Sequence, residues 1–414
     1  MSRIETFRSE KVRIPLPVYV LGAGIFVLGT TEFVIAGLLP DIATEFAVSI
    51  PKAGLLISAF AIAMVVGAPL LTVLTLRWPR RATLLGALGL FVVGQVLGAL
   101  APGYATLMVA RIVTAAATGA FWAVAGVVVV GMVDKAHRAR ALSLLMGGLT
   151  VANVLGVPLG TLVGQQFGWR TTFWVIGAAA VLAGVAVHSV LPGESGGRSG
   201  PVGVRSELRV FRDGRLWLNL GTIAAFEAAV MGTFSYLAPV VTDVAGLASG
   251  LVPVVLTLYG IGSLVGIQLG GRLSDDHPWT TMYSALAAIV LVLATLGLAG
   301  SIPPVTLVVP FVLGTVVFAA ATPLNARVFQ LAGPAPTLAG AAATSAFNVG
   351  NTAGPWLGGL VISAGWGFRA PALVGAVLAA AALALAVLSR AWDARRLGKP
   401  ELADAPADPA RCPG

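Results

Sequence analysis

The sequence predicts an all-α integral membrane protein with twelve transmembrane helices in two parallel six-helix repeats. Three observations predict it. Of the 414 residues 57% are hydrophobic and only 10% are charged, and mean hydropathy is +0.92. A soluble domain carries about 25% charged residues, so a chain this apolar needs lipid as its solvent. A bilayer core about 30 Å thick takes roughly 20 apolar residues per helix, and runs of that length recur throughout. Finally, the stretch GLTVANVLGVPLGTLVGQQFGWR (Gly148 to Arg170) returns as FNVGNTAGPWLGGLVISAGWGFR (Phe347 to Arg369). Superimposing Asn153 on Asn351 places Gly156 on Gly354 and Gly160 on Gly358, an offset of 198. Pro40 and Pro239, Gly67 and Gly266, and Pro79 and Pro278 are each 199 apart. Shared spacing over three regions marks a duplication with both halves in one orientation, a pattern expected of a large class of secondary transporters.

In chain order, the first six spans lie near 16–39, 51–76, 82–101, 104–132, 140–166 and 171–191. The second six lie near 216–241, 249–272, 279–300, 304–330, 337–364 and 370–390. Residues 1–192 form the amino-terminal half and 216–392 the carboxy-terminal half. Between them runs a Gly/Ser-rich polar linker, 193–215, expected at the cytoplasmic surface, and 393–414 is a cytoplasmic tail. The basic start, MSRIETFRSEKVRIPLP, resembles the opening of a signal peptide. The run after it is too long for a signal core and contains Glu32, so it is expected to stay as a mature span.

Arginine and lysine fix the topology. Loops on one side hold 22 of the 26, from Arg3, Arg8, Lys11 and Arg13 at the start to Arg390, Arg395, Arg396, Lys399 and Arg411 at the end. The other side has Lys52, Arg170 and Arg369, and Arg111 lies within a span. Positive loops stay inside, so both termini are expected in the cytoplasm; high Ala, Gly, Arg and Pro use points to a GC-rich bacterial source, with the multi-pass chain in its inner membrane. The net charge of +9 fits this pattern better than a nucleic-acid partner. The single cysteine, Cys412, can form no internal disulfide.

Three ionisable residues fall inside apolar spans: Glu32 in the first, Arg111 in the fourth and Glu227 in the seventh. A charge near the bilayer centre costs about 2.5–3.5 kcal/mol on insertion scales, so such residues usually face a bundle interior or a wet cavity. Removing a carboxyl from water favours its neutral form, which brings it toward the range where it can take up and release protons. Glu32 is the leading candidate for proton coupling, with a fixed Glu32–Arg111 pair as the structural alternative. Arg111 cannot release its proton and can act only as a permanent charge or donor. Glu227, one or two turns into its span, is a possible second coupling carboxyl.

Gly156, Pro158, Gly160 and Gly164 have the small-xxx-small spacing that lets helices approach closely in lipid, and Pro158 should bend its helix. Gly354, Pro355, Gly358 and Gly359 repeat the pattern. They fit either a seam that opens and closes or ordinary packing. In GGRLSDDHPW (Gly270 to Trp279, including Gly271), Asp275 is placed to cap the next helix or accept from Arg272. Phe33, Phe60, Phe121, Trp122, Phe226, Tyr236 and Tyr259, with Asn153 and Asn348, are candidate cavity residues. The three histidines have no metal-ligand spacing. No Walker loop or nucleophile motif appears, so neither cofactor nor enzyme chemistry is expected.

Twelve spans, the parallel repeat and the loop GGRLSD resemble the major facilitator superfamily. MVARIVTAAATGAF (Met108 to Phe121) looks like its fourth-span motif around an arginine, and GVPLG like its fifth-span antiporter motif. LGTTEFVIAGLLPDIA (Leu28 to Ala43), SAFAIAMVVGAPL, GWRTTFW and LAPVVTDVAGL are similar to bacterial chloramphenicol exporters of the drug:proton antiporter group. The resemblance covers about residues 16 to 390. The sequence departs from the pattern at Thr72 and Leu76, where the first-half loop lacks its Gly-x-x-x-Asp core. It departs also at Ala115, at Gly160-Thr161 and at Glu227.

The resemblance implies the major facilitator fold and proton-driven efflux of a small, mainly apolar drug, most readily chloramphenicol, by alternating access. Glu32 and Arg111 would serve coupling and substrate orientation, and Arg272 and Asp275 the cytoplasmic gate. The partners implied are the drug, protons and membrane lipid, with the chain acting as a monomer. The nearest alternative is an exporter of a native metabolite such as a sugar, a nucleoside or a self-made antibiotic. A membrane enzyme and an ion channel are the rivals from other classes.

Overall fold

The structure, a computed structural model, describes residues 14–74, 78–134, 137–191, 209–332 and 336–397. Most of the expected linker (193–208) and the tail beyond 397 lie outside the described residues. Helix accounts for nearly all that is described, with no strand among those residues. The first half runs α1 (Leu16–Glu45), α2 (Ile50–Leu74), α3 (Arg80–Ala99), α4 (Tyr104–Met132), α5 and α6 (Trp169–Val190). Helix α5 comprises Arg138–Val151, a π turn at Ala152–Gly156, and Val157–Phe167. The second half runs α7 (Gly214–Phe234), α8 (Val252–Asp276), α9 (Pro278–Ala299), α10 (Pro303–Ala332), α11 (Pro336–Val361) and α12 (Ala370–Leu397).

Eleven of these helices are long and apolar enough to cross a membrane. The exception is α11, 26 residues long. Asn348, Asn351, its threonines and its glycines dilute its apolar character, and it packs against both α7 and α2. Helix α12 extends to Leu397, past the expected boundary at 392, because Asp393 is held by side chains of neighbouring helices. Arg327 Nη2 donates to its carboxylate at 2.8 Å and Arg215 Nη1 at 3.3 Å.

Within each half one close-packed pair of parallel helices is made possible by glycine. A methyl at Gly148 of α5 would fall on the Gly22 carbonyl of α1, and Gly156, Gly160 and Gly164 sit against Thr30, Val34 and Leu38. Steps of four in α5 meet steps of four in α1. In the second half Gly350, Gly354 and Gly358 lie against Glu227, Ala228 and Tyr236 of α7 and the turn after it. Both glycine stripes therefore pack helices inside a half. The π turn of α5 ends just before Pro158, which has no N–H to give the Val154 carbonyl, and it absorbs the missing bond.

Helices α8 and α10 make a similar contact, where a side chain at Gly314 would overlap the Tyr259 carbonyl. Gly270 meets Ala319 and Thr322 of α10, whereas Gly271 faces open space. Gly314→Val is expected to destabilise the protein by about 1–3 kcal/mol through overpacking, read as a lower unfolding temperature in detergent.

The halves meet along two lines, α2 against α11 and α5 against α8. The near end of the bundle is the one where α1 starts and α12 finishes, and the far end is opposite. Ser58 Oγ donates to the Thr352 carbonyl at 2.8 Å across the first line. Gln165 Nε2 donates to the Ser249 carbonyl at 3.1 Å across the second. Gly260 of α8 lies directly on the backbone of Asn153 and Val154. These contacts lie from the middle of the bundle to its far end.

Candidate functional site

The buried charges gather where α1, α2, α4, α7 and α11 converge. Arg111 is fully buried, and its hydrogen-bond partners are backbone carbonyls. Nη1 donates to the Thr31 carbonyl at 2.8 Å, Nη2 to the Glu32 carbonyl at 3.4 Å and Nε to the Leu56 carbonyl at 3.5 Å. The guanidinium stacks on Phe60, 4.2 Å from the ring centroid. The fixed pairing of Arg111 with the Glu32 carboxylate, one of the two sequence expectations, does not form. Arg111 instead ties α4 to α1 and α2.

This leaves the Glu32 carboxyl facing the second half. Its Oε1 lies 3.5 Å from Nδ2 of Asn351 on α11. The two residues line a small central cavity of about 10 Å³ with Phe33, Ile57, Phe60, Ala61 and Met231. Met231 is 199 residues after Glu32, so the repeat puts equivalent positions of α1 and α7 on the same space. A drug-sized ligand needs roughly 300–1,000 Å³, and the halves must part to admit one. A wider cleft of about 510 Å³ opens at the far end, lined by Pro40, Asp243, Phe368 and neighbours, and the buried carboxyls do not line it.

Glu227 is buried and lies thirteen residues into α7 from Gly214, about 20 Å along the axis at 1.5 Å per residue. The expected depth of one or two turns was too shallow: from the expected span start at 216 Glu227 is already eleven residues in, about three turns, and the helix start at Gly214 adds two residues more. Its Cβ packs against Gly350, next to Asn351, and its carboxyl is within electrostatic range of Glu32 and Tyr259.

Of the candidate cavity residues, Phe33 and Phe60 reach the central space. Phe33 begins an aromatic chain, 6.5 Å from Phe234, which is 4.8 Å from Tyr259. The others are packed. Phe121 fills the space beside Gly24, Trp122 packs against the cluster of Phe60, Met64 and Ala115, and Phe226 meets Phe347 edge-on at 6.5 Å. Asn153 is buried at the α5–α8 line, and Asn348 Nδ2 donates to the Thr344 carbonyl of its own helix at 3.0 Å. Tyr236 is fully buried where α7 breaks, donating to the Pro355 carbonyl at 2.7 Å beside Gly54 of α2. Gly54→Leu would collide with the Tyr236 hydroxyl and hold the far ends apart. It is expected to slow transport several-fold, with Gly126→Ala, which meets open space, as the control.

Two expectations need correction at the near end. Asp275 does not cap the next helix, whose N-cap is His277 without a side-chain bond. Asp275 and Arg272, both exposed at the end of α8, form no ion pair with each other either. The ion pairs at this end, within the second half, lie elsewhere. Asp393 of α12 bridges Arg327 of α10 and Arg215 of α7, while Arg327 also stacks on Trp279 at 4.3 Å.

Sequence reasoning left Asn351 out of the site. Its alignment with Asn153, a polar residue recurring within an apolar span, was the available signal. Gln95, which donates to Thr31 Oγ1 at 2.6 Å, was also missed. Among the described residues no acidic, histidine or cysteine cluster could hold a metal ion.

Comparison with known proteins agrees with this architecture. The family model described as Major Facilitator Superfamily matches residues 21–345. A chloramphenicol resistance protein of Streptomyces lividans is 38% identical over 90% of this chain and 96% of its own. The inner membrane transport protein YdhP of Escherichia coli (strain K12) is 36% identical over 91% of this chain and 97% of its own. The crystal structure of a bacterial homologue of the human lysosomal transporter Spinster, inward-facing and unoccupied, superposes with a TM-score of 0.74 at 16% identity. The match covers 90% of this chain and 96% of that one. Helix order, the duplicated halves and these relatives together make the chain a member of the major facilitator superfamily, a membrane transporter and not an enzyme.

Proposed function

We infer that the protein is a proton-driven exporter of small, mainly apolar drugs, with chloramphenicol the first candidate. The observation that carries this reading is the Glu32 carboxyl. It sits in the middle of the bundle, free of Arg111, on a cavity shared by both halves, with a partner across the divide in Asn351. A carboxyl there can hold a proton in one arrangement of the halves and release it in the other. The relative from Streptomyces lividans, named for chloramphenicol resistance, supports the choice of substrate.

In this reading the near end is cytoplasmic, since it carries Arg80, Arg81, Arg138, Arg140, Arg215, Arg272, Arg327 and Arg390. The halves rock about the central cavity. Protonation of Glu32 from outside weakens its hold on Asn351 and favours release of drug outward, and loss of the proton to the cytoplasm resets the carrier. Arg111 acts as a positioning residue that fixes the backbone of Glu32. Glu227 is a second acid in range of the same centre, and the Arg327–Asp393–Arg215 network braces the cytoplasmic ends of α7, α10 and α12. The chain works as a monomer in the inner membrane with both termini in the cytoplasm.

The test is a growth-inhibition panel in sensitive cells making the protein, covering chloramphenicol, sugars, nucleosides and other antibiotics. A raised inhibitory concentration for chloramphenicol is expected. Resistance confined to another compound class would move the substrate to a native metabolite.

A further inference from the structure

The wider cleft at the far end is built from both halves of the protein. Pro40, Ala43, Val48 and Ile50 enter it from α1, the turn after it and the start of α2, and Asp243 and Phe368 from the second half. Its volume is about 510 Å³. Small-molecule sites measure roughly 300–1,000 Å³, so this cleft can take an occupant without the halves parting. The first-half wall is preformed. Ala47 turns the chain in a left-handed conformation (φ 50°), rare for a residue with a side chain, and the Val48 N–H donates to the Ala43 carbonyl at 3.0 Å. A wall that is already ordered costs a ligand little on binding.

Charge selects the occupant. Asp243 is exposed, and among the described residues its carboxylate has no ion-pair partner. It accepts only from the neighbouring Thr242 hydroxyl, at 2.8 Å. The cations of this end are engaged elsewhere. Lys52 lies over the Tyr104 ring at 5.5 Å, Arg170 pairs with Glu45, and Arg369 Nη1 donates to the Leu298 carbonyl at 3.3 Å. The cleft therefore offers one carboxylate without a counter-charge, one aromatic face in Phe368 and aliphatic walls. That set is complementary to an ammonium group carried on an apolar body.

We propose that this cleft binds amphipathic monoamines, with the ammonium on Asp243 and the apolar body between Phe368 and the Pro40–Ala43 face of α1. The occupant touches both halves, so it binds best while the far ends are together and must leave before they part. Bound amine therefore holds the carrier closed at this end and slows turnover. That consequence rests on the alternating-access reading, whereas the site itself does not.

The test uses the purified full chain in nanodiscs carrying Thr44→Cys, at a position that lines the cleft. Cys412, the single native cysteine, is removed by Cys412→Ser, so that a fluorescent methanethiosulfonate reads the cleft alone. Tryptamine is the probe, and tryptophol, its uncharged hydroxyl counterpart, is the comparison. Tryptamine is expected to slow labelling saturably. Tryptophol should need about three- to fivefold higher concentration, as for loss of an exposed ion pair, and Asp243→Asn should erase that preference. Labelling at the same rate with and without tryptamine, or a preference that survives Asp243→Asn, overturns the inference. In proteoliposomes saturating tryptamine should slow drug export severalfold, and protection without slowing would refute the closed-state clamp. Protection in a protein that moves no chloramphenicol would remove the chloramphenicol assignment and leave this site standing.

Discussion

Glu32→Gln is expected to abolish concentrative export while leaving the protein folded in the membrane. Glutamine nearly matches the shape of glutamate and can still meet Asn351 Nδ2 through its carbonyl oxygen, so the α1–α11 contact survives. What it cannot do is take up and release a proton. Proteoliposomes with an imposed pH gradient give the readout. The variant should lose gradient-driven accumulation of drug but retain exchange of labelled for unlabelled drug without a gradient. Undiminished gradient-driven transport would remove Glu32 from the coupling mechanism.

Arg111→Ala is expected to have an effect of similar size for a different reason. Arg111 is 0% exposed, and its removal leaves the Thr31 carbonyl without its 2.8 Å donor and the Phe60 face without its cation. Hydrogen bonds to charged groups are worth about 1.5–3 kcal/mol, so a stability loss on the order of 2–3 kcal/mol should accompany the loss of export. Arg111→Lys restores the charge, yet one ammonium cannot reproduce a planar fork spanning carbonyls of both α1 and α2. It should recover the amount of protein in the membrane before it recovers export, as measured by thermal unfolding in detergent and drug accumulation. Full recovery of both by lysine would mean that charge alone is its contribution.

Much of the architecture was legible because lipid simplifies the reading. Apolar length marked the helices, and the offset between Asn153 and Asn351 marked the duplication. The same logic found Glu32, Arg111 and Glu227, since any charge within such a run stands out. Their partners could not be read that way. Residue type alone cannot show that Arg111 would direct its donors to backbone carbonyls, because those groups are the same in every sequence. Pairing it with Glu32 followed from charge, and the structure separates the two. The depth of Glu227 was legible: eleven residues separate it from the expected span start at 216, about three turns rather than one or two, and the Asp213-capped start at Gly214 adds only two residues.

The lower visibility of α11 has the same origin as its importance. Packed against α2 and α7, it buries Asn348 and Asn351, and Asn351 is the residue that meets Glu32 across the halves. Asp393 was placed in a tail because it follows the last apolar residues, whereas its arginine partners come from α7 and α10. The aromatic candidates show the limit of composition. Phe33 and Phe60 line the cavity, but Phe121 and Phe226 fill ordinary gaps, and only the faces of their helices distinguish them.

The measurement that tests the central claim most directly is the accumulation of labelled chloramphenicol in energised cells with and without this protein, before and after a protonophore. Lower accumulation in cells containing the protein, reversed by the protonophore, is the predicted result. Equal accumulation in both, with the protein shown to be in the membrane, would contradict chloramphenicol export. A lowered level that the protonophore leaves unchanged would contradict the proton as its driving ion.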